Sequence, residues 1–189
     1  MDQPILETER LILRPFVDGD ASLIAELAGD KAIADTTIRI PHPYSEAMAL
    51  EWIGTHKSIR VDELALFYAV DLKESGELVG SAGIDIYFQH GRATIGYWIG
   101  REYWNKGYAT EAASILLGYV FDVMKFHKVD SHHFARNPAS GRVLEKLGMK
   151  REGLLRGHIK KSGVWEDIIE YGILDHEYGQ LASSLQRSG

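Results

Sequence analysis

Residues 93–124 read ATIGYWIGREYWNKGYATEAASILLGYVFDVM, and the fold is decided here. Residues 93–100 have the composition of a strand, Asn105, Lys106, Gly107 and Tyr108 make a short loop, and Ala109, Thr110 and Glu111 lead into a helix over 110–124. The first amides of a helix have no carbonyl partner one turn back, so they face outward as a ring of donors. The helix dipole adds partial positive charge at the same end, and strand, loop and helix in this order predict an anion site above the loop. Gly107 lets the backbone approach a ligand, the Thr110 hydroxyl adds a donor, and Lys106 offers a charge. The spacing is neither a Walker loop nor a GxGxxG fingerprint, so neither a nucleoside triphosphate nor a dinucleotide is favoured. An ordinary turn glycine and a solvated lysine are the plainer readings of Gly107 and Lys106.

The helix over 110–124 is apolar nearly all round, through Ala112, Ala113, Ile115, Leu116, Leu117, Val120 and Val123, which predicts an interior helix packed on a sheet. Upstream, residues 64–70 and 78–88 form a hairpin about a polar turn, and Gln89, His90 and Gly91 turn the chain into the 93–100 strand. Before them, Leu11, Leu13 and Pro15 alternate with polar residues as a strand. A helix over 18–27 follows behind an Asp20 cap, and a second begins at Ser45 with Leu50, Trp52 and Ile53 as its apolar face. Downstream come a strand over 128–135, a helix opened by Asn137 and Pro138 and stopped by Gly148, and two extended segments at 151–160 and 165–174. The residues from about Gln180 are expected to fray. The order predicts one α+β domain over 1–189, with seven strands, about four helices, and the central helix crossing between strands.

Composition narrows the function. The chain has 189 residues, 27 acidic and 21 basic side chains, a formal charge of -6 and no cysteine. The negative charge argues against a general nucleic-acid binder and leaves room for a cationic partner. Without cysteine, disulfides, thiolate metal sites and a cysteine acyl intermediate are excluded. No run reaches the ~18 apolar residues of a spanning helix, and the first residues do not read as a secretory signal, so no membrane partner and a cytoplasmic location are expected. His132 and His133 are adjacent on a strand and face opposite sides, and His42 and His127 add no ligand spacing, so no metal is expected.

The runs Ile95-Gly96-Tyr97-Trp98-Ile99 and Tyr103-Trp104-Asn105-Lys106-Gly107-Tyr108-Ala109-Thr110-Glu111-Ala112 resemble the acetyl-coenzyme A binding core of the GNAT acetyltransferases. Residues 6–14, LETERLILR, resemble the family too, as do Asn137-Pro138-Ala139-Ser140 with Lys146-Leu147-Gly148-Met149, and Trp165-Glu166-Asp167 with Tyr171. The likeness is greatest to the branch containing the ribosomal-protein N-terminal acetyltransferases.

The resemblance implies a mixed, mostly antiparallel sheet splayed between its fourth and fifth strands. The pantetheine arm would pair with the backbone of Trp98 and Ile99 in that gap, and the diphosphate would sit on Trp104, Asn105, Lys106, Gly107, Tyr108, Ala109 and Thr110. The family's diphosphate pattern has Gln or Arg where this chain has Trp104, a mild departure because the contacts are mainly backbone. It also implies that the Ile99 N–H polarises the thioester carbonyl, that Asn137 holds the pantetheine arm, and that Ser140 assists departure of the thiol. Asn137 also suits a plain helix cap.

Many relatives carry a glutamate immediately before the Ile-Gly-Tyr run as the proton acceptor, and here the position is Thr94. Asp85, His158, and Glu166 or Asp167 are the candidates to replace it, with Tyr97 as a relay, or a water chain serves instead. An α-amine of pKa about 8 needs less help than a lysine amine of about 10.4. The expected activity is therefore acetyl transfer from acetyl-coenzyme A to a protein or peptide N-terminal amine. A small amine such as a polyamine or amino sugar, and a non-catalytic acyl-coenzyme A binding module, are the alternatives. The acceptor is expected between residues 34–44 and the turn at 161–165, and monomer and homodimer are both open.

Overall fold

The computed structural model describes residues 3–62 and 64–186. Eight strands in them form one sheet: β1 (Leu6–Glu7), β2 (Leu11–Pro15), β3 (Ala65–Leu72), β4 (Leu78–Tyr87), β5 (Arg92–Ile99), β6 (Lys128–Phe134), β7 (Lys150–Lys161) and β8 (Val164–Leu174). Their order across the sheet is β1-β2-β3-β4-β5-β6-β8-β7. Every neighbouring pair is antiparallel except β5 and β6, which run parallel. A parallel pair needs a crossover, and α4 (Tyr108–Gly118) makes it. Only three rungs join these two strands, Arg92 with Lys128, Ala93 with Val129 and Thr94 with Asp130, after which they part. This is the splay that the resemblance implies, in a GNAT-like mixed α/β fold.

Both faces of the sheet are covered. On one, α1 (Ala21–Gly29), α2 (Lys31–Thr36) and α3 (Glu46–Val61) lie over the sheet, and a small core joins Ile24, Ala28, Ala49 and Ile53 to Ala69 and Leu78. On the other, α4 and α5 (Pro138–Lys146) close the main core of Leu13, Tyr68, Val70, Ile84, Ile95, Leu116, Leu117 and Leu144. The final helix α6 (Asp175–Gln186) packs back on α4's continuation, with Tyr178 stacked on Phe121 at 4.9 Å.

Eight strands and six helices exceed the seven and four expected: β1 and α2 are too short to show a clear period, and α6, twelve residues long, follows the last strand where no helix was expected. β1 is two residues, recruited by pairing Leu6 with Leu13. α2 is six residues, started by the Asp30 carboxylate accepting from the Ala32 amide at 2.8 Å. The expected single helix over 110–124 is α-helical to Gly118 and widens into π-type turns over Tyr119–Val123, leaving Val123 64% exposed. The end expected to fray is helical to Gln186, and the last three residues lie outside the described ones.

Asp20 stands at the start of α1 but makes no side-chain cap bond. Its carboxylate instead accepts from Arg14 at 2.8 and 2.9 Å, and Arg14 also donates to Asp71 at 2.6 Å. Both acids are buried, and desolvation holds Asp71 above the usual carboxylate range although Arg14 pulls it down. Removing one partner of such a network strands charge in a low dielectric. Arg14→Met is therefore expected to destabilise the chain by roughly 3–5 kcal/mol at pH 7 in urea unfolding. The deficit should shrink on acidification, as the two stranded carboxylates take up protons in the folded state.

Candidate active site

The parted strands expose backbone on one side of β5. The Gly100 amide donates to Val79 at 2.8 Å. Donors alternate along an antiparallel ladder, so Trp98 and Gly96 also turn their backbone toward β4, while Ile95, Tyr97 and Ile99 face β6. The Ile95 carbonyl is met by the Ser131 hydroxyl at 2.8 Å, and the Ile99 carbonyl by the Trp104 indole N–H at 2.6 Å. The backbone of Tyr97 and the N–H of Ile99 are left facing the gap. Trp98, expected to pair there through its backbone, turns its backbone to β4 and its side chain to the α1–α3 face of the sheet. Trp104 has a role that its sequence position did not suggest: it takes one acceptor of the gap out of play.

The fork itself is tied. Thr94 donates to one oxygen of Asp130 at 2.5 Å, and Arg92 donates to the other at 2.5 Å. At the opposite edge of β5, Gly80 allows β4 to press in, since a Cβ there would lie 2.3 Å from the Trp98 carbonyl oxygen.

Beyond β5 the chain forms the expected loop. Asn105 and Gly107 adopt left-handed backbone, with φ of 62° and 85°, and Gly107 is the residue before α4. Alternating backbone hands of this kind gather N–H groups into a concave anion site, and the free amides of Tyr108, Ala109 and Thr110 continue it. The Lys106 ammonium lies 5.2 Å from the Tyr103 ring centroid, beside the loop. The loop is gripped from the N-terminal segment. Arg10 donates to the Lys106 carbonyl at 3.0 Å and to Glu111 at 2.7 Å, and Thr8 donates to Glu111 at 2.6 Å. Desolvation works to raise the Glu111 pKa, but these bonds outweigh it and hold the carboxyl below its usual range.

Across the gap, α5 begins at Asn137, whose side chain makes no cap bond, so the plain capping role is not taken up. Ser140, in its first turn, has its Oγ 3.1 Å from the Tyr97 hydroxyl, which also lies 3.2 Å from the Ser140 carbonyl. Burial pushes the Tyr97 phenol up to about 12, against the Ser140 bond, so it is a neutral hydroxyl at physiological pH. The pair spans the gap between β5 and α5.

On the α1–α3 side the gap opens into a cavity of about 580 Å³. Its walls include Ile24, Ile38, Ile40, Tyr44, Met48, Trp52, Phe67, Trp98 and Phe134, with Ser140 and Tyr97 at the gap end. Glu51 and Asp85 are the carboxylates among its lining residues, and Arg39 donates to Asp85 at 3.2 Å. The hairpin turn after β7 closes one side, where Lys161 donates to the Ile38 and Ile40 carbonyls at 3.2 and 2.5 Å. This is the location expected for the acceptor.

Comparison with known proteins agrees with this geometry. The model of the acetyltransferase (GNAT) domain matches residues 10–150. An uncharacterized N-acetyltransferase of Bacillus subtilis, YoaA, is 31% identical over 172 residues, 90% of this chain and 97% of its own. The chain belongs to the GNAT acetyltransferases. A GNAT-family acetyltransferase from Bacillus anthracis has a crystal structure that superposes with a TM-score of 0.82 at 29% identity, covering 92% of this chain and 99% of that one. The alanine N-acetyltransferase of ribosomal protein uS5 from Escherichia coli is 22% identical over 167 residues, 86% of each chain.

As a GNAT enzyme the chain is an N-acetyltransferase with acetyl-coenzyme A as donor. The residues fit that donor: a loop of free amides suits a diphosphate, and the unpaired edge at Tyr97 and Ile99 suits the amides of a pantetheine arm. The candidates for the missing carboxylate separate clearly. Asp85 and Tyr97 line the cavity. Glu166 is held by Arg136 at 2.9 Å and Asp167 accepts from the Gly157 amide at 2.7 Å, and neither they nor His158 are among the lining residues. Thr94, at the expected position, is a hydrogen-bond donor to the fork. His132, weighed in the sequence only as half of a possible metal pair, stands in the cavity wall. No group of three or more His, Asp or Glu able to hold a metal occurs among the described residues, nor a helix long and apolar enough to cross a membrane.

The Arg10 grip predicts a split in kinetics. Charge-assisted bonds contribute about 1.5–3 kcal/mol each, so Arg10→Ala should raise the KM for acetyl-coenzyme A roughly tenfold or more. The turnover number and the KM for the amine should change little, as steady-state kinetics with each substrate varied in turn would show.

Proposed function

We propose that the chain acetylates the α-amine of a peptide or protein N-terminus, using acetyl-coenzyme A directly. In this reading Asn105 to Thr110 hold the diphosphate, with Lys106 adding charge, while Tyr97 and Ile99 pair with the pantetheine arm and Asn137 steadies it. The Ile99 N–H polarises the thioester carbonyl, whose oxygen gains charge as nitrogen attacks. The Ser140 hydroxyl, backed by the neutral Tyr97 phenol, donates to the leaving sulfur.

The observation that supports the choice of acceptor is the cavity lining. A polyamine asks for several free carboxylates, whereas Glu51 and Asp85 are the two here and Asp85 is paired with Arg39. An amino sugar asks for a wall rich in hydrogen-bonding groups, whereas Ile38, Ile40, Met48, Trp52 and Phe67 make this wall mostly apolar, with threonines such as Thr36, Thr37 and Thr55 between them. A single amine on an apolar body fits both facts. It also needs the least base, because an α-amine of pKa about 8 is partly neutral at pH 7. The uS5-alanine acetyltransferase among the relatives acts on a target of this kind.

The test is free-thiol release from acetyl-coenzyme A with N-terminally free peptides, spermidine and glucosamine, followed by mass spectrometry of the product. Peptides with a small or apolar first residue should be acetylated at the N-terminus and outpace both small amines. Faster turnover of spermidine or glucosamine would overturn the acceptor assignment, and tight coenzyme binding without release on any amine would make the chain a binding module. Ser140→Ala should lower the turnover number on the order of 10²-fold while leaving coenzyme affinity unchanged in calorimetry.

A further inference from the structure

We propose that His132 accepts the proton of the acceptor amine. The inference rests on the acetyltransferase activity of the family and not on which amine is used.

Three observations place the imidazole. First, His132 lies two residues past Asp130, the last paired rung of β6, on the side that faces the cavity, and is among its lining residues. Second, the residue two past the same rung on β5 is Gly96, where a Cβ would meet nothing within 4 Å, so the ring has open space before it where the strands part. Third, two of the carboxylates near the ring are engaged: Asp130 holds Thr94 and Arg92, and Asp85 is paired with Arg39, while Glu170 lies opposite on β8 and Glu51 lines the cavity from α3. A carboxylate that already accepts strong bonds is a weak base, whereas an imidazole titrating below neutrality is poised to accept a proton.

The charges around the ring set its state. The His132 side chain is exposed at the cavity, yet desolvation by the groups around it is still the largest influence and lowers its pKa below the ordinary value of about 6.5. Asp130 on the same strand, Glu170 opposite it on β8 and Asp85 on β4 raise it, and Arg39 lowers it further. The net direction is down, so the ring is neutral at pH 7 and becomes protonated and unavailable in acid.

The step balances without any other reagent. The amine nitrogen forms a bond to the carbonyl carbon and the carbon–sulfur bond breaks. The proton lost from nitrogen goes to the imidazole, directly or through one water, and on to solvent. The thiolate takes its proton at the Ser140 side of the gap.

The experiment is the pH dependence of kcat/KM for wild type, His132→Gln and Asp85→Asn, with a peptide amine as acceptor. If peptides prove poor acceptors, the most active amine of the panel serves equally, so failure of the acceptor assignment is separable. Wild type should lose activity in acid in two steps, one for the amine and a lower one for His132. His132→Gln should lose the lower step and fall on the order of 10²-fold at pH 7, and Asp85→Asn should keep both. Added imidazole should restore part of the activity to His132→Ala, an effect that a merely structural histidine would not give. An unchanged profile in His132→Gln, absence of rescue in His132→Ala, or loss of the lower step in Asp85→Asn instead would each overturn the proposal.

Discussion

The site depends on a sheet that stops pairing halfway along a strand. Past Thr94, β5 gives up its partner while still inside the protein, and every backbone group so released needs another one. Side chains supply some, as Ser131 does for Ile95 and Trp104 for Ile99. The groups that remain, at Tyr97 and Ile99, form a short unpaired edge suited to an extended ligand rich in amides. What elsewhere would be a liability of an open strand is, in the proposed function, the binding surface.

An opening of this kind must be held at a fixed width. Below, Thr94 and Arg92 fasten the fork through Asp130; above, the Tyr97 hydroxyl reaches Ser140 on α5. Gly80 brings β4 hard against the other edge of β5. The two ends of the gap therefore belong to different elements, and the groups proposed to act on the thioester inherit their positions from both.

The sequence carried most of the donor half. The strand, loop and helix start over 93–124 are local, and their reading needs only the orphan amides of a helix and a glycine that permits left-handed backbone. The splay came from the resemblance rather than from any period in the residues. What escaped notice depends on contacts between distant residues. Arg10 and Glu111 lie 101 positions apart, and Thr94 and Asp130 lie 36 apart. Nothing local to Trp104 says that its indole seals a carbonyl. His132 looked like half of an impossible metal pair, and only the parting of the strands gives it a cavity to face. Of the elements missed, β1 with two residues and α2 with six are too short to establish a pattern, whereas α6 is long enough but carries a glycine and few apolar residues to mark a face.

The clasp between Lys161 and the loop before α3 has a consequence for divergence. Both of its acceptors are main-chain carbonyls, of Ile38 and Ile40, which every residue type provides. The loop is thus secured without reference to the side chains that it turns into the cavity. If the cavity takes the acceptor as proposed, substitutions at Ile38, Arg39 and Ile40 would remodel its wall while the anchorage persists, so new acceptors would lie within reach of small sequence changes that leave the architecture alone.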